Sequence, residues 1–254
     1  MNNSKVVLSL QAHPDDAEFT CAGTLALLRR AGWEVHIATM TAGDCGTTEL
    51  GPDEIRRVRV AEAARAADLV DGTYHCLECD DVFILYDRPT ILKAIGLLRE
   101  VRPMLVFAPS PSDYMVDHEI TATIAQSACF AAGMKNIEIE GVESYEPVPY
   151  LYYVDPYEGK DRFGAEIKPG LYVNIGEVIE TKKEMLACHA SQRNWLLKHH
   201  GVDEYIRAMI SFAEVRGEMV GHKHAEGFRQ HLGHGFSEDN ILKSELGELV
   251  RFST

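Results

Sequence analysis

Val6-Val-Leu-Ser-Leu-Gln11-Ala-His13-Pro14-Asp15-Asp16-Ala-Glu18 is the stretch whose reading decides the architecture. Its first half is a short apolar run with the length and composition of a buried strand. The run stops at a Pro-Asp turn, and residues 18–31 then read as a helix closed by Gly32. The alternation continues downstream. Residues 33–40 predict a strand, 53–69 a helix, 73–77 a strand, 88–101 a helix, 104–108 a strand and 117–132 a helix. Strands separated by helices predict βαβ units. The expected fold is therefore a Rossmann-like three-layer α/β sandwich, a mostly parallel sheet with helices on both faces. In such sheets ligands bind outside the carboxyl ends of the strands. Two loops fall there, residues 11–18 and residues 109–118.

The second half is less regular. Residues 150–155 and 171–175 predict strands, and 176–187 and 202–216 predict helices. No linker separates the halves, so a single domain over residues 1–254 is expected, with 133–254 completing the sheet and covering the cleft. The formal net charge of −14 argues against nucleic acid, whose phosphates call for basic patches, and against an anionic membrane surface. No apolar run reaches the roughly 18 residues of a membrane span. The apolar run after Lys5 is shorter than a signal-peptide core, so a cytoplasmic protein is expected. The six cysteines are dispersed and read as reduced thiols. Cys76 and Cys79 form a lone CxxC with no second pair, which argues against a structural zinc site there.

The first loop packs His13, Asp15 and Asp16 into four residues at a strand end. Zinc takes nitrogen and oxygen ligands, and a catalytic site leaves one position open for water. His13 and Asp16 suit two of the three protein ligands. Pro14 stiffens the turn. Asp15 then lies beside the ion as a base for water whose pKa the metal lowers to about 7. The competing reading is an ordinary polar turn in which Asp caps the next helix. The second loop, Pro109-Ser-Pro-Ser-Asp113-Tyr114-Met115-Val116-Asp117-His118, offers His118 as a third ligand. Asp117 either caps the helix or orients a neighbouring ligand. A His, Asp, His set suits zinc or another divalent ion that favours N/O donors.

These residues resemble the PIG-L/LmbE family of zinc-dependent de-N-acetylases. The likeness rests on Ala-His-Pro-Asp-Asp-x-Glu after the first strand and Asp117-His118 opening a later helix. It is supported by Thr41-Ala-Gly43-Asp44-Cys-Gly46, by Arg59 and Glu62, and by the segment His224–Arg229. The resemblance implies His13, Asp16 and His118 as zinc ligands and Asp15 as general base, returning its proton to the leaving amine. It implies hydrolysis of the acetamide of an N-acetylglucosamine-type sugar or a related small conjugate. Relatives are often trimers or hexamers, which implies a homo-oligomer. Tyr114 is placed as the holder of the oxyanion, and Arg59, with Arg56 as alternative, as a contact to the sugar. Asp44 is placed either on substrate hydroxyls or in a turn. One departure stands out. Many members carry a second His three residues before the ligand His, and here that position is Met115.

His222, His224, His231 and His234 lie within 13 residues but match no usual zinc spacing. They read as a loop folding over the cleft, with His231, or else His224, donating to the substrate. Trp195 and the tyrosines of residues 145–157 invite sugar stacking, though alternating Tyr in a strand is more often core or subunit interface. Two other readings stand beside the de-N-acetylase. One is an amidase for thiol-sugar conjugates or longer acyl chains. The other is a doubly wound nucleotide-binding module without catalysis, which lacks both GxGxxG after the first strand and a P-loop.

Overall fold

The computed structural model describes residues 5–193 and 204–253. Eight strands form one sheet in the order β3-β2-β1-β4-β5-β7-β6-β8. The first five are β1 Val6–Gln11, β2 Glu34–Thr41, β3 Thr73–Cys79, β4 Leu105–Ala108 and β5 Tyr150–Val154. They pair in parallel. The last three, β6 Leu171–Asn174, β7 Ala225–Gln230 and β8 Val250–Phe252, extend the sheet in antiparallel pairs. Strand alternation splits the core between the two faces. Val7, Phe107, Tyr152 and Phe228 pack with Leu25, Leu28 and Trp33 on one face. Leu8, Leu10, Val106 and Leu151 pack with Ile95, Leu98, Ile124 and Ala128 on the other. Both faces are thus covered by helices, which accounts for the near-continuous apolar strands.

The helices are α1 Asp16–Thr20, α2 Ala22–Arg30, α3 Pro52–Asp68, α4 Arg88–Val101, α5 Val116–Ala131, α6 Ile179–Ala187, α7 Glu204–Glu218 and α8 Ile241–Leu246. The helix expected over 18–31 is two helices broken at Cys21. A carboxylate from the far end of the chain causes the break. Glu226 accepts hydrogen bonds from Gly23 N, Thr24 N and Thr24 Oγ1, which satisfies the free amides of a new helix start. Lys182 holds the same carboxylate, and both partners are buried.

The second correction concerns residues 222–234, which are not a loop over the cleft. Residues 225–230 are strand β7, lying between β5 and β6. Trp195 lies outside the described residues. Tyr145, Tyr152 and Tyr153 are core residues, which favours packing over stacking for them. Among the described residues no helix is long and apolar enough to cross a membrane.

Candidate metal centre

The loops after β1 and β4 meet at the carboxyl edge of the parallel strands. His13 ends the first loop's extended part, Asp16 opens α1, and His118 lies in the first turn of α5. His13 Nδ1 is 3.5 Å from Asp16 Oδ2, and His118 Nε2 is 3.4 Å from Asp16 Oδ1. The two imidazole centres are 5.4 Å apart. One donor atom from each residue falls within a 4.8 Å cluster. His118 Nε2 is buried without a hydrogen-bond partner, so it is a free donor aimed at the same spot as the carboxylate. Two nitrogens and a carboxylate suit zinc and other ions of similar preference, and the donor set fits the expected group.

The far nitrogen of each ring is tied to a carboxylate. His13 Nε2 lies 3.1 Å from Asp81 Oδ1 and 3.2 Å from Asp117 Oδ2. His118 Nδ1 lies 3.0 Å from Asp113 Oδ1. Carboxylates only accept, so these nitrogens carry the proton and leave His13 Nδ1 and His118 Nε2 as the free ligand atoms. Carboxylate-held imidazoles of this kind are the usual outer support of a metal site. Asp117 therefore holds the His13 ring and does not cap the helix. Its Oδ2 also accepts from Val82 N, which pins a β-branched residue at φ 71. Without metal the charges lean on each other. Burial alone lowers His118, but Asp16 and Asp113 raise it to about 10. His13 is likewise held well above its usual range, since Asp117, Asp16 and Asp81 outweigh its burial. Asp16, buried between the two rings, is held well below the usual carboxylate range by His118 and His13.

Asp15 does not behave as a helix cap. Its backbone is left-handed at φ 100, and its side chain makes no capping bond. Tyr205, in the first turn of α7, donates to Oδ2. Arg59 Nη2 is 3.5 Å from Oδ1. Burial raises the Asp15 carboxyl, Arg59 opposes that, and the neighbouring Asp16 adds to it. Arg59 is itself buried, donating to Gly43 O at 3.1 Å and Pro14 O at 2.7 Å. This placement explains the glycines of the Thr41–Gly46 loop. A Cβ on Gly43 or Gly46 would lie 2.3 or 2.4 Å from the Arg59 guanidinium. Arg59 thus locks the base loop to the glycine loop. Asp44 accepts from Arg56 at 3.2 Å beside them.

A cleft of about 270 Å³ opens over this cluster, lined by His13, Asp15, Asp16, Arg59, Tyr114 and His118 among others. A smaller recess of about 60 Å³ continues past Asp16, His118 and Tyr114 toward Phe19, Asp155 and Tyr157. A larger groove beside β8, about 410 Å³, is lined by Glu166, Lys168, Tyr172 and Arg251. The cleft is the candidate site on its chemistry, since neither donor cluster of metal-ligating type borders that groove. Tyr114 stands edge-on to the His118 ring at 5.6 Å and faces solvent, in reach of a bound substrate. Met115 lines the cleft where many relatives are expected to have a His.

His231 requires a correction. Its backbone N donates to Leu151 O, so it lies toward the amino end of β5, whereas the cleft adjoins the carboxyl end near Val154. Its ring bonds the Tyr153 hydroxyl and packs on Phe236. His224 faces Glu214 on α7 and lines neither the cleft nor the recess. The antiparallel course of β7 accounts for His231, because β7 runs from the site edge toward the opposite one. Sequence reasoning passed over Asp113 and Tyr205. Asp113 had a signal, a second carboxylate five residues before His118 in the same loop. Tyr205 had none.

Residues 8–129 match the family model PIG-L, described as GlcNAc-PI de-N-acetylase. The chain carries a PIG-L family domain. The match spans both ligand loops, Arg59, Asp81, Asp113 and Asp117, and ends before β5. Similarity continues past the PIG-L domain. Diacetylchitobiose deacetylase of Thermococcus kodakarensis is 27% identical over 238 residues, covering 90% of this chain and 84% of that protein. The structure of N,N'-diacetylchitobiose deacetylase from Pyrococcus horikoshii, in complex with an inhibitor, superposes with a TM-score of 0.77 at 25% identity, covering 90% of this chain and 84% of that one. A 4-oxalmesaconate hydratase from Pseudomonas putida is also similar, 24% identical over 201 residues and covering 75% of each chain.

Proposed function

We propose that the protein is a metal-dependent hydrolase that removes the N-acetyl group from an N-acetylglucosamine-type sugar or a related small conjugate. The observation that carries this reading is the convergence of His13, Asp16 and His118, each imidazole backed by a carboxylate, with Asp15 beside them at the cleft floor. His13, Asp16 and His118 would hold the ion, zinc in the first instance. A bound divalent ion would supply Lewis-acid polarisation of a carbonyl and acidify water.

The chain's own groups account for the proton. Asp15 lines the cleft as a carboxylate and takes a proton from the attacking water. The same oxygen returns it to the amine nitrogen as the amide bond breaks. Arg59 fixes the turn that presents Asp15. Tyr114 is placed to donate its hydroxyl to the oxygen that gains charge as the carbonyl is attacked. Partial desolvation by the cleft wall, with Asp16 and Asp113 nearby, raises its phenol, so it remains a donor across the physiological range.

The hydratase relative raises a second chemistry for the same donors, water addition to a carboxylate-bearing substrate. The cleft lining speaks against that class here. Asp15, Asp16 and Asp81 line it, and Arg59, the one Arg or Lys among its described lining residues, is already bound to two carbonyls. A substrate carboxylate therefore finds no free Arg or Lys to pair with, whereas a neutral sugar needs none.

Purified protein is expected to bind about one divalent ion per chain and to release acetate from N-acetylglucosamine or its β-linked disaccharide. The substrate panel should include thiol-sugar conjugates and longer N-acyl chains. Asp15→Asn is expected to keep the metal and lose turnover by on the order of 10³-fold. Full activity in that variant would end the assignment of the base. Turnover of an unsaturated polycarboxylate with none of the amides would favour the hydratase chemistry.

A further inference from the structure

Asp15 sits at φ 100 and ψ −21, a conformation that a non-glycine residue holds only under external restraint. Backbone bonds from Asp16 N to His13 O and from Phe19 N to Asp15 O hold the turn locally, but the carboxylate makes no capping bond to α1. The carboxylate is restrained by two distant side chains. Arg59 reaches Oδ1 at 3.5 Å, the long limit of a hydrogen bond, while its shorter bonds go to Pro14 O and Gly43 O. Tyr205 donates to Oδ2 in a short contact across 190 residues of sequence. Arg59 therefore sets the turn, and the tight hold on the carboxylate itself is the phenol.

The geometry points to Tyr205 as a positioning residue that fixes the Asp15 carboxylate for proton transfer. This rests on the reading of Asp15 as the base. Tyr205 does not line the cleft, so it touches Asp15 and leaves substrate to other groups. A carboxylate oxygen has two acceptor directions, and one phenol occupies only one of them. Tyr205 thus fixes the plane of the carboxylate without consuming its basic capacity. A phenol suits the task because two torsions place it, which keeps the ordering cost low. Its proton stays on the phenol throughout, since burial and the adjacent Asp15 charge hold the phenol well above its usual range. The base then moves only the proton it takes from water.

Tyr205→Phe removes the hydroxyl and keeps the ring. The variant is expected to lose about ten- to a hundredfold in kcat, with KM within about twofold and bound metal unchanged. In an Asp15→Asn background the same substitution is expected to change kcat by less than about twofold, because the group it positions is gone. A kcat equal to wild type, or equal factors in both backgrounds, would overturn the proposal. Crystal structures of wild type and Tyr205→Phe give a readout that needs no turnover. The Asp15 carboxylate is expected to rotate or spread over several orientations in the variant, and an unmoved carboxylate would count against Tyr205 whatever the substrate proves to be. Should wild type hydrolyse no amide while the carboxylate still moves, the reading of the function fails and the positioning role stands.

Discussion

The loops after β1 and β4 and the segment through β7 are both rich in His and charged residues and use them differently. In the two loops the side chains converge on one point and leave donor atoms free. His118 Nε2 is buried and unpartnered, and Asp16 offers an oxygen to each ring. In the β7 segment the carboxylates are spent on cations, and the unpartnered His222 Nε2 and His224 Nδ1 belong to no metal-type cluster among the described residues. Glu226 closes on Lys182 and on the start of α2, and Arg216 closes on Asp155 at 2.7 Å beside Gly227. The difference teaches that a polar cluster is a candidate site when its unspent donor atoms converge on one point. A cluster whose carboxylates are closed on cations is a fastening.

Breaking the first region should cost the most. His118→Ala removes a proposed ligand and leaves Asp16 with one imidazole. It is expected to abolish stoichiometric metal binding and to lower kcat/KM by on the order of 10⁴-fold or more. Metal analysis beside kinetics checks both, and an active metal-free variant would collapse the distinction between the two regions. Breaking the second region should instead cost stability. Glu226→Ala strands the Lys182 ammonium in the core and frees the amides of Gly23 and Thr24. A loss of about 3–5 kcal/mol is expected, a fall in Tm of roughly 10 °C. Below its melting point the variant should keep kcat within a few-fold. A large kcat loss with little change in Tm would move Glu226 into the site.

The first region was legible because its geometry is local. A strand, a Pro-containing turn and a helix start put His13, Asp15 and Asp16 at one edge, and parallel pairing of β1 with β4 brings the second loop alongside. The parallel pairing of that half follows from the alternation of strands and helices. What could not be read depends on pairings far apart in sequence. The break at Cys21 is made by Glu226, 203 residues beyond Gly23. Strand β7 is short and carries a Gly, a Glu and an Arg, so no apolar period marks it, and its antiparallel course decides where His231 goes. Gly227 shows the same limit. It is there because a Cβ would meet Asp155 Oδ2 at 2.4 Å, a contact no local pattern announces.

Proton competition sharpens the contrast further. In the metal-free protein the His118 charge pair stabilises the fold fully below the ordinary histidine value of about 6.5 and fades as pH rises through about 10. The metal-free protein is therefore expected to lose several degrees of Tm between pH 6.5 and 10. The metal-loaded protein should lose less, because a bound ion needs the neutral ring and takes over its partnership with Asp16. Titration of metal at fixed pH should show affinity rising over the same interval. Identical Tm profiles for the two forms would place the titration elsewhere.

The smallest effect is expected at His231, and it tests the register of the sheet. The side chain bonds Tyr153 Oη at 2.9 Å and packs on Phe236, with its backbone fixed to Leu151. His231→Ala removes a part-buried hydrogen bond and an aromatic contact, which is worth about 1–2 kcal/mol of stability. It touches nothing at the carboxyl edge of the parallel strands, so kcat and KM should each stay within about twofold. A hundredfold loss in kcat with an unchanged Tm would require His231 at the cleft, and with it a different course for β7 past β5. Such a result would also withdraw the claim that the segment through β7 only fastens the fold, since one of its imidazoles would then be free to meet substrate.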